Sequence, residues 1–159
     1  MSDLILIKEL REKTGAGFLD CKNALKENNN DINLSLDYLR KKGLAKATKK
    51  SSREAREGAV GFFSNNNLTA ILKINSETDF SAKSNTFLNF LDSVGNIILE
   101  LNDPELSIQK FLNTKFNDKK ISDLLSEMIA KIGENLIISD LKIYDNKNLN
   151  VNFYVHNPY

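Results

Sequence analysis

Apolar residues recur at helical intervals through the first 45 positions, alternate with a period of two between residues 58 and 75, and return to a helical interval beyond residue 86. Asp3 is placed to cap a first helix, in which Leu4, Ile7 and Leu10 repeat until Thr14-Gly15 interrupts them. A second helix starts near Gly17, carries Phe18, Cys21 and Leu25, and stops in Asn28-Asn29-Asn30. Asp31 suits the N-cap of a third helix striped by Ile32, Leu36 and Leu39, with Gly43 as its C-terminal residue. Three short helices of this kind make a compact bundle with a small core. Leu34 and Tyr38 lie on another face of the third helix and are left over for a second contact.

Lys46 to Gly58 has almost no large apolar residue and carries Lys46, Lys49, Lys50, Arg53 and Arg56. It reads as a partly helical tether. Beyond it, the β-rich runs Ala59–Ser64 and Leu68–Asn75 flank Asn65-Asn66-Asn67, the signature of a hairpin with a loop of three to four residues. In the second run Leu68, Ala70, Leu72 and Ile74 are expected on a buried face, and Thr69, Lys73 and Asn75 on a wet one. Phe87, Leu88, Phe90, Leu91, Val94, Ile97, Ile98 and Leu101 mark a long amphipathic helix. After a polar connector, Ile121, Leu124, Leu125, Met128, Ile129 and Ile132 mark another, with Gly133 placed to stop it. Two further strands, Asn135–Tyr144 and Leu149–His156, are expected around the turn Asp145 to Asn148. The predicted organisation is a helical domain at 1–45, a basic linker at 46–57, and a core at 58–159. The fold class is α+β, an antiparallel sheet packed with two main helices. The final His156-Asn157-Pro158-Tyr159 reads as the entry to another strand, so a continuation of the core is expected. Without one, the C-terminal sheet edge would need cover, such as a second copy in a homodimer.

Composition narrows the function. With 41% apolar residues among 159 the chain can build a real core, and 22 basic against 21 acidic residues leave a net charge of +1. No global field draws it to nucleic acid or an anionic membrane. The basic tether has no interleaved aromatic for base stacking, so direct nucleic-acid binding is not expected. The single Cys21 fits a reducing compartment and a small buried thiol. Neither a signal peptide nor a spanning helix is legible, so a cytoplasmic protein is expected. Thr14-Gly15-Ala16-Gly17 lacks the spacing of a phosphate-binding loop. His156 is the only histidine, and no metal cluster or catalytic triad assembles around it. No cofactor, metal or catalytic group is expected, and the chain does not read as an enzyme.

Asp79-Phe80 stands alone among Ser, Thr and Asn at the junction of hairpin and helix. If the helix began at Phe80, the ring would join the stripe of Phe87, Leu91 and Val94 as plain core. Ser81 and Ser84 are better caps than interior residues, however, and the stripe is complete without Phe80. With Ser84 as the cap, Asp79 and Phe80 protrude on the turn before it. An exposed Phe leaves roughly 1.5 to 3 kcal/mol of burial unrealised, which a partner's pocket can supply. Asp79 offers only acceptors to such a partner; as an N-cap or turn aspartate it is equally well accounted for. Phe18 and Leu19 are about 100° apart on the helical wheel, so one of them belongs at the margin of the small bundle.

Two stretches, Ile7–Leu25 ("IKELREKTGAGFLDCKNAL") and Thr78–Lys83 ("TDFSAK"), resemble the amino-terminal signature and the central motif of bacterial elongation factor Ts. Their order and spacing agree with that family, as do Asp31–Ala47, Ala130–Leu136, and Tyr154 with His156. The resemblance covers nearly the whole chain. It implies a three-helix domain of the ubiquitin-associated type, a linker, and the first half of the family's core. It implies nucleotide exchange on elongation factor Tu; the alternatives are a partner-binding module without exchange activity, or a nucleic-acid-binding protein acting through the basic linker. Arg11, Phe18, Leu19 and Lys22 fall where the family's amino-terminal domain meets its partner. Asp79 and Phe80 fall on the wedge motif, and Ile132, Gly133, Glu134 and His156 on further contacts. The pattern departs at Ser81, usually apolar, at Ser84, commonly Asn or Asp, and at Ser139-Asp140, where relatives often carry a basic pair.

Overall fold

The computed structural model describes residues 3–154, with the backbone alone at Asp3 and Asn148. The described chain divides into two compact units. One contains the amino-terminal helices to Ser52 together with Asp123–Gly133; the other contains Arg53–Ser122 and the chain from Glu134 onward.

In the first unit, α1 (Asp3–Thr14), α2 (Phe18–Glu27) and α3 (Ile32–Lys50) enclose a core of Leu6, Ile7, Leu10, Cys21, Ala24, Leu25 and Leu39. The buried seam of α1 is Leu6, Ile7 and Leu10, and Leu4 is exposed, contrary to the expected repeat from Leu4. At about 100° per residue, Leu6, Ile7 and Leu10 share an arc of roughly 100°, and adding Leu4 would widen it to about 160°. Asp31 caps α3 as expected, its Oδ1 accepting the Leu34 N–H at 2.9 Å. The buried Ser35 hydroxyl donates to the carbonyl of Ala24 at 3.1 Å, tying α3 to α2. Asp20 on α2 binds both Lys42 and Lys46 of α3, at 2.9 and 2.8 Å. Helix α3 does not stop at Gly43; it runs on to Lys50, through the first part of the basic stretch.

In the second unit, β1 (Glu57–Ser64), β2 (Leu68–Ser76) and β5 (Ile137–Asp145) form an antiparallel sheet in the order β1-β2-β5. The three-residue loop Asn65–Asn67 closes the predicted hairpin, with Asn65 Oδ1 accepting the N–H groups of Asn67 and Leu68. Leu68, Ala70, Leu72 and Ile74 are buried as expected. Thr69 and Asn75, expected on a wet face, are buried too. Both are satisfied by neighbours: the Thr69 hydroxyl donates to Asn146 Oδ1 at 2.9 Å, and Asn75 Oδ1 accepts from the Ser139 hydroxyl. Ser139 sits at a register shift opposite Lys73 and Ile74, a bulge that turns its side chain onto β2.

Helix α5 (Asn85–Leu101) packs Phe87, Phe90, Leu91, Val94, Ile97 and Ile98 into the core of this unit. It approaches β1 at Gly95, where a Cβ would stand 2.2 Å from the Phe63 ring, so that only glycine admits the aromatic there. A one-turn helix α4 (Asp79–Ala82) precedes it, and α6 (Ile108–Asn113) follows, burying Phe111. The short hairpin β3 (Lys115–Phe116) and β4 (Lys119–Lys120) was not expected. Its turn residues Asn117 and Asp118 both have positive φ, 48° and 64°, the mark of a two-residue primed turn that Asn-Asp permits. Helix α7 (Ile121–Ile132) begins in this unit with the buried Ile121, and its residues from Asp123 pack in the first.

The strand expected at 149–156 is not formed over 149–154. Asp145 caps a 3-10 turn, Asn146–Asn148, and Asn146 is anchored to the β1–β2 loop through its N–H on the Asn67 carbonyl and its Nδ2 on the Asn65 carbonyl, both at 2.8 Å. The turn is thereby drawn toward that loop instead of closing a hairpin on β5. Beyond it the Phe153 ring stacks on Phe62, with centroids 4.0 Å apart.

Candidate functional site

The junction between β2 and α5 is built by successive caps. Thr78 is the N-cap of α4, its hydroxyl oxygen accepting the Ser81 N–H at 3.3 Å. Ser84 is the N-cap of α5, accepting the Phe87 N–H at 3.2 Å. The two caps divide what would otherwise be one helix, and the single turn between them carries Phe80 into solvent, 84% exposed. Asp79, partly buried, opens α4 and pairs with Lys83 four residues on, at 2.8 Å. The Lys83 ammonium holds the Asp79 carboxyl below its ordinary pKa. The capping role open to Asp79 belongs to Thr78.

Thr78 is held further by a residue 56 positions away. Glu134 Oε2 accepts its N–H at 3.0 Å, and Oε1 accepts its hydroxyl proton at 2.7 Å. Burial pushes the Glu134 carboxyl up, but hydrogen bonds from the Thr78 hydroxyl, the Ser81 side chain and the Thr78 N–H outweigh it, and the pKa is lowered. The next residue pair is joined in the opposite sense: Glu77 Oε1 accepts the Asn135 N–H at 2.6 Å. Asn135, buried at 2% exposure, donates its amide to the Arg53 carbonyl at 2.7 Å, and Arg53 Nη1 lies 3.5 Å from Glu77. The residues around the motif that sequence reading passed over are therefore Thr78, Glu77 and Arg53, while Asn135, which the resemblance groups with the contact turn at 132–134, is buried and tied to Glu77 and Arg53. Thr78 was legible as a cap three residues before Ser81; for Glu77 and Arg53 no local signal exists.

In the first unit, Arg11 and Phe18 line one open groove of about 420 Å³ with Leu4, Ile7, Lys8, Glu12, Gly15 and Ala16. Leu19 and Lys22 are exposed on α2 and do not line it. Phe18 is 46% and Leu19 67% exposed, so both adjacent residues stand at the margin of the small core and not one alone. Cys21 beneath them is a free, fully buried thiol whose pKa burial raises. Ile132 is half-buried and Gly133 exposed at the end of α7. Gly133 has φ +88°, and its N–H closes the helix on the Ile129 carbonyl at 2.9 Å. Lys50 donates to its carbonyl. His156 lies outside the described residues.

Much of the basic stretch is engaged within the chain. Lys46 binds Asp20, Lys50 the Gly133 carbonyl, Arg53 Glu77, and Arg56 Glu54. Among the described residues no group of three or more His, Cys, Asp or Glu side chains is arranged to hold a metal ion, and no helix is long and apolar enough to cross a membrane.

The family model described as Elongation factor TS matches residues 77–158, which take in Phe80, the 132–134 turn and the sheet strand after it. Among curated proteins, Elongation factor Ts of Rhizobium meliloti (strain 1021) is 40% identical over 152 residues, covering 96% of this chain and 49% of its own length. Elongation factor Ts of Allorhizobium ampelinum is 41% identical over 155 residues, again covering 96% and 49%. The protein of the same name from Sinorhizobium medicae is 40% identical over 152 residues. The chain spans about half the length of the curated relatives it matches. With the family model covering more than half of the chain and the similarity running on through the helical unit, this chain belongs to the elongation factor Ts family.

Proposed function

We propose that this chain is a guanine-nucleotide exchange factor of translation elongation, acting in the cytoplasm on elongation factor Tu to release GDP. The observation that carries the reading is Phe80, an aromatic ring 84% exposed on a single anchored turn. Exchange requires no covalent step. The factor binds the nucleotide-free or distorted partner more tightly than the GDP-bound one, and linkage then obliges it to weaken GDP by the same factor.

The magnitudes divide the labour. A weakening of about 10⁴-fold needs about 5.5 kcal/mol of differential binding. Burying the Phe80 ring in the partner supplies roughly 1.5 to 3 kcal/mol of it. Asp79 and the Ile132-Gly133 turn are assigned part of the remainder. Arg11, Phe18, Leu19 and Lys22 form a second contact surface; to the extent that they bind every state of the partner alike, they raise affinity without driving release. The engagement of Lys46, Lys50, Arg53 and Arg56 within the chain speaks against the basic stretch as a nucleic-acid surface.

Stopped-flow release of fluorescent GDP from elongation factor Tu tests the reading. The wild-type chain is expected to accelerate release and Phe80→Ala to lose most of that acceleration. Equal rates for the two would reject the wedge. Binding by the wild-type chain without any gain in release would identify a binding module instead.

A further inference from the structure

The segments 76–81 and 134–135 exchange carboxylates. Glu134 receives Thr78, and Glu77 receives Asn135, so each segment's acid satisfies the other's backbone N–H. Every polar group of Thr78 is used: the N–H and hydroxyl donate to Glu134, the hydroxyl oxygen accepts the Ser81 N–H, and the carbonyl accepts the buried Ser76 hydroxyl at 2.9 Å. The order of these bonds matters. A hydroxyl has one proton, and by taking it Glu134 turns a Thr78 lone pair toward Ser81, which closes the first turn of α4. A helix of four residues has no stability of its own, because nucleation fixes several dihedrals for a single hydrogen bond. Phe80, 84% exposed, contributes little burial of its own to hold the turn. The direction of its ring therefore depends on what anchors the turn on either side of it, Thr78 before and the buried Ala82 after, and of these only Thr78 is held by polar bonds to a distant segment.

We infer that Glu134 is a positioning residue for Phe80: by binding both the N–H and the hydroxyl of Thr78 it presets the α4 turn, with the Glu77–Asn135 bond as the reciprocal half of the clamp. Presetting removes an ordering cost from the encounter with a partner, so the clamp favours binding without Glu134 touching the partner. The inference rests on the exchange reading for its purpose, but not for its geometry.

Two measurements on the full chain separate the two. Amide hydrogen exchange by NMR on the chain alone reads the clamp. Glu134→Ala is expected to speed exchange of the Thr78 and Ser81 amides at least about tenfold, with the amides of β2 and α5 unchanged and Glu134→Gln, which keeps the shape and one acceptor, falling between. Unchanged Thr78 and Ser81 amides in both variants would overturn the inference. GDP release then reads its use through a double-mutant cycle: Glu134→Ala is expected to slow release in the Phe80 background and to add nothing in the Phe80→Ala background. An equal loss in both backgrounds would overturn the positioning role in favour of a direct contact. If Phe80→Ala alone leaves release unchanged, the exchange reading fails, and the amide measurement still decides the clamp.

Discussion

Phe80 and Phe87, seven positions apart, stand on opposite sides of the solvent boundary: Phe80 is 84% exposed and Phe87 fully buried. In one continuous helix, residues a heptad apart differ by only about 20° and would face the same way. The break at Ser84, which ends the α4 turn and caps α5, lies between the two rings. The two rings should therefore respond oppositely to truncation. Phe87→Ala is expected to cost about 3–5 kcal/mol, and Phe80→Ala to stay within about 0.5 kcal/mol of wild type. Urea unfolding measures both; a comparable loss for Phe80→Ala would place that ring in the core.

The exposed pair on α2 should behave as contact surface. Leu19→Asp and Lys22→Glu remove no buried packing, so the thermal midpoint should hold while the affinity for elongation factor Tu falls about tenfold or more. Calorimetric titration at wild-type affinity would remove α2 from the interface.

Asp20 joins α2 to α3 through two lysines, and hydrogen bonds from Lys46 and then Lys42 hold its carboxyl below the ordinary value of 3.8. A carboxyl with a lowered pKa in the folded state stabilises the fold above 3.8 and loses that contribution as pH falls through the folded value. Because all three side chains remain partly exposed, the effect is modest. Asp20→Asn is expected to cost about 0.5–1 kcal/mol at neutral pH, with the difference from wild type vanishing in acid well below pH 3.8. Paired urea titrations at the two pH values check the sign.

Gly43 lies against Ala130, so close that a Cβ on Gly43 would stand 3.3 Å from the Ala130 Cβ. The glycine serves close approach of two helices, where its position suggested a helix end. A larger side chain must force them apart, and Gly43→Leu is expected to destabilise by about 1–3 kcal/mol. An unchanged urea midpoint would show that the contact yields freely.

Local order was written in the sequence. Asp31 and Ser84 are caps because each needs only an N–H three residues ahead. The Asn65–Asn67 loop and the buried repeat of β2 are likewise legible, since turn chemistry and a period of two act within a few residues. The exposure of Phe80 followed from the same caps. Tertiary structure alone decided the rest. It carried α3 past Gly43 because another helix rests there, and it buried Thr69 and Asn75 because β2 is the central strand, with partners on neighbouring segments. It also brought Glu134 to Thr78 across 56 residues. A hydrogen bond of that span leaves no mark in spacing or composition: its partners become neighbours only when β5 pairs with β2 and brings Glu134, just ahead of β5, to the turn.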